Sequence, residues 1–100
     1  MTPSFEWDKA KAETNKRKHG ISFEEAASVF ADPLAAIFPD PEHSDDEVRE
    51  IIVGLSARNR LLVVSFTERS DVIRIISARK ATKRERKDYE DNRIGGWGHE

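Results

Sequence analysis

The spacing of apolar positions near the start of the chain predicts a short strand followed by a helix. Apolar and polar residues alternate over residues 5–7, which is the period of a half-buried strand. Asp8 stands where a helix N-cap is expected, and the helix is predicted to reach about Lys18. Gly20 ends it, because glycine readily adopts the left-handed conformation found just past a helix C-terminus.

A second helix is predicted directly after the first. Ser22 and Glu25 have the spacing of a capping box, a pair of side chains that satisfies free backbone N–H groups in the first turn of a helix. Apolar residues then recur at helical spacing as far as Asp32-Pro33. The helix must stop there, because the residue before a proline avoids the helical region.

The middle of the chain alternates apolar runs with short polar turns, the pattern of a sheet. The last two runs are apolar on both faces and are predicted to lie in mid-sheet with cover on each side. A second capping box, Thr82 with Glu85, starts a final helix to about Asp91. The order of these elements predicts an α+β fold with a mainly antiparallel sheet, two N-terminal helices and a C-terminal helix. The predicted strands are residues 34–38, 48–55, 61–68 and 72–78.

Length and composition indicate one small domain. One hundred residues suffice for a single domain, predicted over residues 1–93 with a flexible tail over residues 94–100. The chain has no cysteine, no apolar run long enough to span a membrane, and no N-terminal segment built like a signal peptide. We therefore expect a cytoplasmic protein without disulfides or contact with a membrane.

The net charge of −2 hides a polarity along the chain. Residues 22–50 carry nine acidic and one basic side chain, whereas residues 56–93 carry eleven basic and six acidic ones. A basic C-terminal half is compatible with a phosphate-binding surface, and scattered solvated charge explains the same counts equally well.

Common catalytic signatures are missing from the sequence. It has no glycine-rich phosphate loop and no histidine, cysteine or carboxylate spacing typical of a metal site, so we expect neither a metal nor another cofactor. Cations remain at the ends of predicted strands. Arg74 interrupts an apolar strand and must either pair with a carboxylate or face a wet cleft. Arg79 and Lys80 lie between strand and helix, where side chains and free N–H groups can converge on an anion.

RNA can be cleaved without a metal when the ribose 2′-hydroxyl attacks its own phosphate. One group must remove the hydroxyl proton, another must protonate the leaving oxygen, and cations must stabilise the transition state. His19 and Glu68 are the conventional acid–base candidates near these cations. Structural roles are also open to both: His19 as a residue satisfying helix carbonyls, and Glu68 as the partner of Arg69 or Arg74 in a salt bridge.

Five motifs form a series that resembles a known family. They are Phe5-x-Trp7-Asp8, Asn15-x-x-Lys18-His19-Gly20-Ile21-Ser22-Phe23-Glu24-Glu25-Ala26, Phe30-x-Asp32-Pro33, Thr67-Glu68-Arg69 and Arg74-Ile75-Ile76-Ser77-Ala78-Arg79-Lys80-Ala81. The series covers about residues 4–90 and resembles the BrnT family of toxins. The resemblance implies a RelE-like fold, ribonuclease activity that inhibits translation, and neutralisation by a BrnA-like antitoxin. The antitoxin has a ribbon-helix-helix half that binds operator DNA, and a 2:2 complex is expected.

The positions of the cations on the predicted strands, together with the resemblance, imply a cleft lined by cations. Lys18, His19, Arg74, Arg79 and Lys80 match motif positions of the family, and Tyr89 takes the place of the tyrosine that related RelE-type toxins use. The predicted catalytic residues are His19, Glu68, Arg74 and Arg79; the predicted RNA-binding residues are Lys18, Arg49, Arg69, Lys80, Arg86 and Tyr89. The alternative is a non-catalytic interaction module that acts with its partner as a co-repressor.

Overall fold

The chain folds around one five-stranded sheet. The structure is a computed structural model, and it describes residues 4–40 and 48–95. The sequence also predicts an acidic, proline-containing loop over residues 39–46; its residues 41–46 and most of the predicted tail lie outside the described residues. The strands are β1 Ser4–Trp7, β2 Ala36–Pro39, β3 Arg49–Leu55, β4 Leu61–Arg69 and β5 Val72–Lys80. The helices are α1 Lys9–His19, α2 Phe23–Ser28 and α3 Lys83–Gly95, with a 3-10 turn over Val29–Ala31.

The sheet has the strand order β1-β5-β4-β3-β2. All neighbouring pairs are antiparallel except β1 and β5, which run parallel. The predicted α+β class with a mainly antiparallel sheet is confirmed. Strand β4, predicted to lie in mid-sheet, is its central strand.

Both faces of the sheet are covered, but unequally. The larger core lies on the face under α1 and α2, where Phe23 and Phe66 are almost completely buried. The smaller core lies on the opposite face under α3, where Tyr89 packs against Val53, Leu61 and Val63. Helix α3 is otherwise strongly polar in sequence, and among its described side chains Tyr89 is the one that belongs to this core. The helix therefore covers only part of its face.

Short-range hydrogen bonds define the helix ends. The Asp8 carboxylate accepts from the Lys11 N–H at 3.1 Å, and Gly20 follows α1 with a φ of 72°. In the second capping box the bonds run in both directions, from the Glu85 N–H to Thr82 Oγ1 at 3.1 Å and from the Thr82 N–H to Glu85 Oε1 at 2.8 Å. These interactions stabilise the ends of α1 and α3 without help from distant residues.

The first capping box forms only in part. Ser22 Oγ accepts from the Glu25 N–H at 3.1 Å, but the Glu25 carboxylate turns inward to Arg60 and Ser56. Glu25 is 7% exposed, and the hydrogen bond from Arg60 holds the pKa of its carboxyl below the usual value. Arg60 also donates to the Gly20 carbonyl at 3.2 Å. The ion pair thus joins the start of β4 to both N-terminal helices.

Side chains complete the sheet where neighbouring strands end. Beyond β1, the edge of β5 is met by Asn15 on α1, which pairs with both backbone groups of Ala78. Beyond β2, the edge of β3 is met by Asp32, whose Oδ2 accepts from the Leu55 N–H at 2.8 Å. The chain passes so close there that a Cβ on Gly54 would lie 2.7 Å from the Ala35 Cβ. The contact of Asn15 with Ala78 places the end of α1 beside β5.

The C-terminal helix runs further than its polar sequence predicts. Helix α3 continues to Gly95, four residues past the predicted end at Asp91, and residues 96–100 lie outside the described residues. Within the described part of the chain, every helix is too short or too polar to cross a membrane.

Candidate active site

The α3 face of the sheet carries three rows of side chains across β3, β4 and β5. Backbone pairing aligns Arg49, Thr67 and Arg74 in the first row, where Thr67 is buried and its hydroxyl donates to the Val48 carbonyl at 2.9 Å. The second row is Ile51, Ser65 and Ser77, and the third is Val53, Val63 and Arg79. Residues paired across neighbouring strands point to the same face. The sheet therefore presents arginines on both sides of a row that contains two hydroxyl groups.

A bulge in β5 puts Arg74 and Arg79 on one face. Their partners on β4 are Thr67 and Val63, four positions apart, whereas the two arginines are five positions apart. Ile76 is the extra residue, and it restores the alternation that an odd spacing would otherwise break. At the usual rise of a strand the two arginines lie about 13 Å apart along the sheet. Both side chains can extend toward a phosphate over the middle row.

A cleft of about 260 Å³ opens over the second and third rows. His19 contributes from the end of α1 at the β5 edge, and Asp40 contributes from the far side, just after β2. The cleft therefore combines an imidazole, a carboxylate, hydroxyl groups and a guanidinium. Its lining residues are His19, Asp40, Ile51, Val63, Ser65, Ser77, Ala78 and Arg79.

Arg79 is held by a carboxylate from α3. Its Nη1 donates to Glu85 Oε1 at 2.8 Å and its Nη2 to Glu85 Oε2 at 2.9 Å. This two-bond pair lowers the pKa of the Glu85 carboxyl to about 2 and raises the pKa of Arg79 above its usual value. Fork-to-fork pairing fixes the plane of the guanidinium. Both bonds to Glu85 come from Nη1 and Nη2 of Arg79, so its Nε–H takes no part in them.

Arg74 has a weaker partner. Its Nη1 donates to Glu6 on β1 at 3.1 Å, and both side chains are more than a third exposed. Water screens such a pair strongly, so the interaction contributes little free energy and an incoming phosphate can replace it. Arg49 lies two strands away in the same row, about 10 Å from Arg74 at the usual strand spacing.

The structure separates several predicted site residues from this cleft. Glu68 pairs with Ile73, and Lys80 pairs with Leu62, so both side chains belong to the face covered by α1 and α2. Tyr89 is 2% exposed, and its hydroxyl donates to Asp32 at 2.6 Å.

Three further predicted RNA-binding residues are exposed. Lys18 is on α1, one residue before His19. Arg69 is at the hairpin end of β4, two residues beyond Thr67 of the first row. Arg86 is exposed on α3 and pairs with Glu90 at 3.6 Å.

Sequence reasoning missed four residues that the structure places at or beside the cleft. Asp40 was assigned to the acidic loop, although it is the first residue after β2 and is half-buried. Ser65 and Ser77 read as ordinary strand positions, and Asn15 as one polar residue of a helix. Only the position of Asn15 one helical turn before His19 was a usable signal. No group of three or more potential metal ligands occurs within residues 4–40 and 48–95.

Comparison with known proteins gives a consistent result. The sequence model of one family, described as the ribonuclease toxin BrnT of type II toxin–antitoxin systems, matches residues 7–85. The crystal structure of the Brucella abortus ribonuclease toxin BrnT is similar with a TM-score of 0.64 and 25% identity, over 82% of this chain and all of that one. No curated protein sequence matches the chain significantly. Because the family model matches more than three quarters of the sequence, this chain belongs to the BrnT family of ribonuclease toxins of type II toxin–antitoxin systems.

Proposed function

We propose that this chain is an endoribonuclease that cleaves RNA without a metal ion and thereby inhibits translation and growth. The observation that carries the proposal is the cleft that His19, Asp40, Ser65, Ser77 and Arg79 line together. Groups able to exchange protons and a cation thus share one cleft, and metal-free cleavage requires both kinds of group.

The reaction conserves atoms without an external reagent. A base removes the 2′-hydroxyl proton, the 2′ oxygen forms a bond to phosphorus, and the bond from phosphorus to the 5′ oxygen breaks. An acid protonates the departing 5′ oxygen. The products are a 2′,3′-cyclic phosphate and a 5′-hydroxyl end.

His19 and Asp40 are the two groups that we assign to proton transfer. Histidine changes charge near neutral pH and serves as base or acid, and an ionised carboxylate accepts a proton. Glu68 is excluded from this role because it belongs to the other face of the sheet. Tyr89 is excluded because its hydroxyl is buried and bonded to Asp32.

The cations and hydroxyl groups bind the phosphate and its neighbours. Arg79 stabilises the charge that develops on the phosphate oxygens, and Ser77 donates a hydrogen bond from the floor of the cleft. Arg49 and Arg74 of the first row and Arg69 at the hairpin end of β4 hold the RNA backbone.

The proposal includes the partner and the fold relationship. Membership in a type II family implies an antitoxin. We propose a BrnA-like ribbon-helix-helix protein in a 2:2 complex, which binds operator DNA while this chain does not. We also assign the fold to the RelE-like group, whose members place a helical pair against one face of an antiparallel sheet.

An RNA cleavage assay in EDTA tests the function. Purified wild type, His19→Ala, Arg79→Ala and the matched control Arg58→Ala receive the same labelled RNA, and the new ends are analysed chemically. Arg58 is an exposed arginine at the turn between β3 and β4. This turn is at the opposite end of the two strands from the row of Arg49 and Arg74. We expect wild type and Arg58→Ala to produce cyclic phosphate ends, and the two site variants to be slower by about 100-fold or more. Adding the antitoxin should stop cleavage.

One observation favours the non-catalytic alternative. Both Arg74 and Arg79 have carboxylate partners, so their charges are partly neutralised before RNA arrives. If RNA stays intact and expression of His19→Ala, Arg74→Ala and Arg79→Ala still arrests growth, the chain acts as an interaction module and the nuclease proposal is wrong.

A further inference from the structure

A second groove runs along α1 beside the active-site cleft. It encloses about 320 Å³ between the helix and β5. The groove is lined by Ala10, Lys11, Thr14, Asn15, Lys18, His19, Ile76 and Ser77.

The groove and the cleft are continuous. His19 and Ser77 line both of them, so a chain lying over the Ser65–Ser77 row can pass from one into the other without leaving the surface. The bulge that puts Arg74 and Arg79 on one face of the sheet is at Ile76, which is half-buried and lines the groove. It supplies an apolar contact between the polar groups on either side.

The helix face over the groove is basic. Lys11, Thr14 and Lys18 lie three and four residues apart, which places them on one side of α1. Lys11 and Lys18 are exposed, about 10 Å apart along the helix, and neither ammonium group has an ion pair within the described part of the chain.

The opposite side of the same helix has mixed charge. Lys9, Glu13 and Lys16 lie there, and together with Glu24 of α2 they line a separate hollow next to Trp7. The two sides therefore carry equal numbers of lysines, but only the groove side is free of acidic residues among its lining.

We propose that this groove binds the single-stranded RNA that continues from the scissile phosphate on one side. Lys11 and Lys18 neutralise backbone phosphates, Thr14 donates a hydrogen bond, and Ile76 packs against a base. Proteins that bind single strands without sequence preference combine a positively charged groove with aromatic side chains that stack on bases, and here Ile76 supplies an aliphatic contact where such proteins have an aromatic ring. The inference rests on the proposed ribonuclease function and adds a substrate-binding region outside the cleft.

Binding of uncleavable RNA of two lengths tests the groove. The probes are a dinucleotide and an octanucleotide with 2′-O-methyl riboses, which cannot attack the phosphate. The variants are Lys11→Gln/Lys18→Gln and the matched control Lys9→Gln/Lys16→Gln, each with one lysine near either end of α1. Both pairs therefore change the net charge and the helix dipole interactions equally.

We expect the groove variant to bind the octanucleotide about 10-fold more weakly than wild type, while its affinity for the dinucleotide is unchanged. The slope of the logarithm of the binding constant against the logarithm of the salt concentration should become shallower by about 1.4. This is the change expected when two phosphate contacts on a single strand are lost. The control variant should match wild type for both probes.

Other outcomes overturn the inference in distinguishable ways. If both variants weaken octanucleotide binding equally, general charge and not the groove attracts RNA. If neither variant changes binding while wild type cleaves RNA, the groove proposal alone is wrong. If wild type neither binds the probes nor cleaves RNA, the proposed function fails and the groove proposal fails with it.

Discussion

The side-chain amide of Asn15 pairs with the backbone of Ala78 as a neighbouring strand would. Its Nδ2 donates to the Ala78 carbonyl at 3.0 Å, and its Oδ1 accepts from the Ala78 N–H at 3.1 Å. Nδ2 also donates to the Ile21 carbonyl at 3.0 Å. One buried amide thus joins α1, the segment after it and β5. His19, one helical turn further on, is held beside the cleft by this contact.

Replacing Asn15 should destabilise the fold. Asn15→Leu leaves the buried Ala78 groups and the Ile21 carbonyl without partners, and we expect a loss on the order of 2–3 kcal/mol in the free energy of unfolding. Urea unfolding measures it. Glu13→Ala, an exposed change on the same helix, should stay within about 0.5 kcal/mol of wild type. Equal stability of Asn15→Leu and wild type would contradict the role of the amide.

Glu85→Gln should separate binding from catalysis. The substitution removes an anion beside the cleft, which favours RNA binding, but it releases Arg79 from a fixed orientation. We expect kcat for RNA cleavage to fall about 10-fold or more while KM stays the same or decreases.

Thr82→Val is the control for that experiment. It removes the bond from the Glu85 N–H to Thr82 Oγ1 but keeps the pair with Arg79, so only stability should fall, by about 1 kcal/mol. A proportional loss of kcat in both variants would mean that Glu85 acts through the helix end and not through Arg79.

Tyr89→Phe should lower stability and leave cleavage intact. The change deletes the 2.6 Å hydrogen bond from the tyrosine hydroxyl to Asp32 while keeping the ring among its apolar neighbours. A hydrogen bond to a charged group contributes about 1.5–3 kcal/mol, which thermal or urea unfolding detects. Loss of cleavage in a folded Tyr89→Phe variant would restore the tyrosine as a catalytic residue.

Acid should weaken the fold through its paired carboxylates. Pairing with Arg79 lowers the pKa of Glu85 from 4.5 to about 2, and pairing with Arg60 lowers the pKa of Glu25. A lowered pKa stabilises the folded state above the unfolded value of 4.5, and this contribution is lost as the pH falls toward 2.

Unfolding of wild type and Glu85→Gln at pH 6, 4.5 and 3 provides the measurement. The stability difference between the two proteins should be largest at pH 6 and should shrink below pH 4.5. A difference that stays constant over this range would show that the ion pair does not contribute to stability.

The ends of α1 and the start of α3 are determined by residues that are close together in sequence. Asp8, Gly20 and the Thr82–Glu85 box act within four residues of chain, and the structure forms each of them as predicted. Apolar runs separated by short polar turns likewise predicted the strands and the mainly antiparallel sheet, because both the runs and the turns are formed by residues close in sequence.

Distant contacts were beyond that reasoning. Asn15 and Ala78 are 63 residues apart, and Glu25 leaves its own capping box for Arg60, 35 residues away. Nothing near Glu25 in sequence shows that a distant arginine will compete for its carboxylate. Arg60 comes within hydrogen-bond distance of Glu25 only when the folded chain brings the start of β4 close to α2.

One extra residue in β5, Ile76, decides which side chains belong to the candidate site, because it shifts the pairing register with β4. The sequence by itself determined that cations line the strand leading to α3, and the family motifs indicated which ones. Tertiary structure decided which of them share a face, because the bulge at Ile76 sets Arg79 on the same face as Arg74 and turns Lys80 to the other face. A side-chain period of two makes every such assignment reverse with one inserted residue. That insertion is stabilised by pairing between strands and is not visible in the pattern of either strand alone.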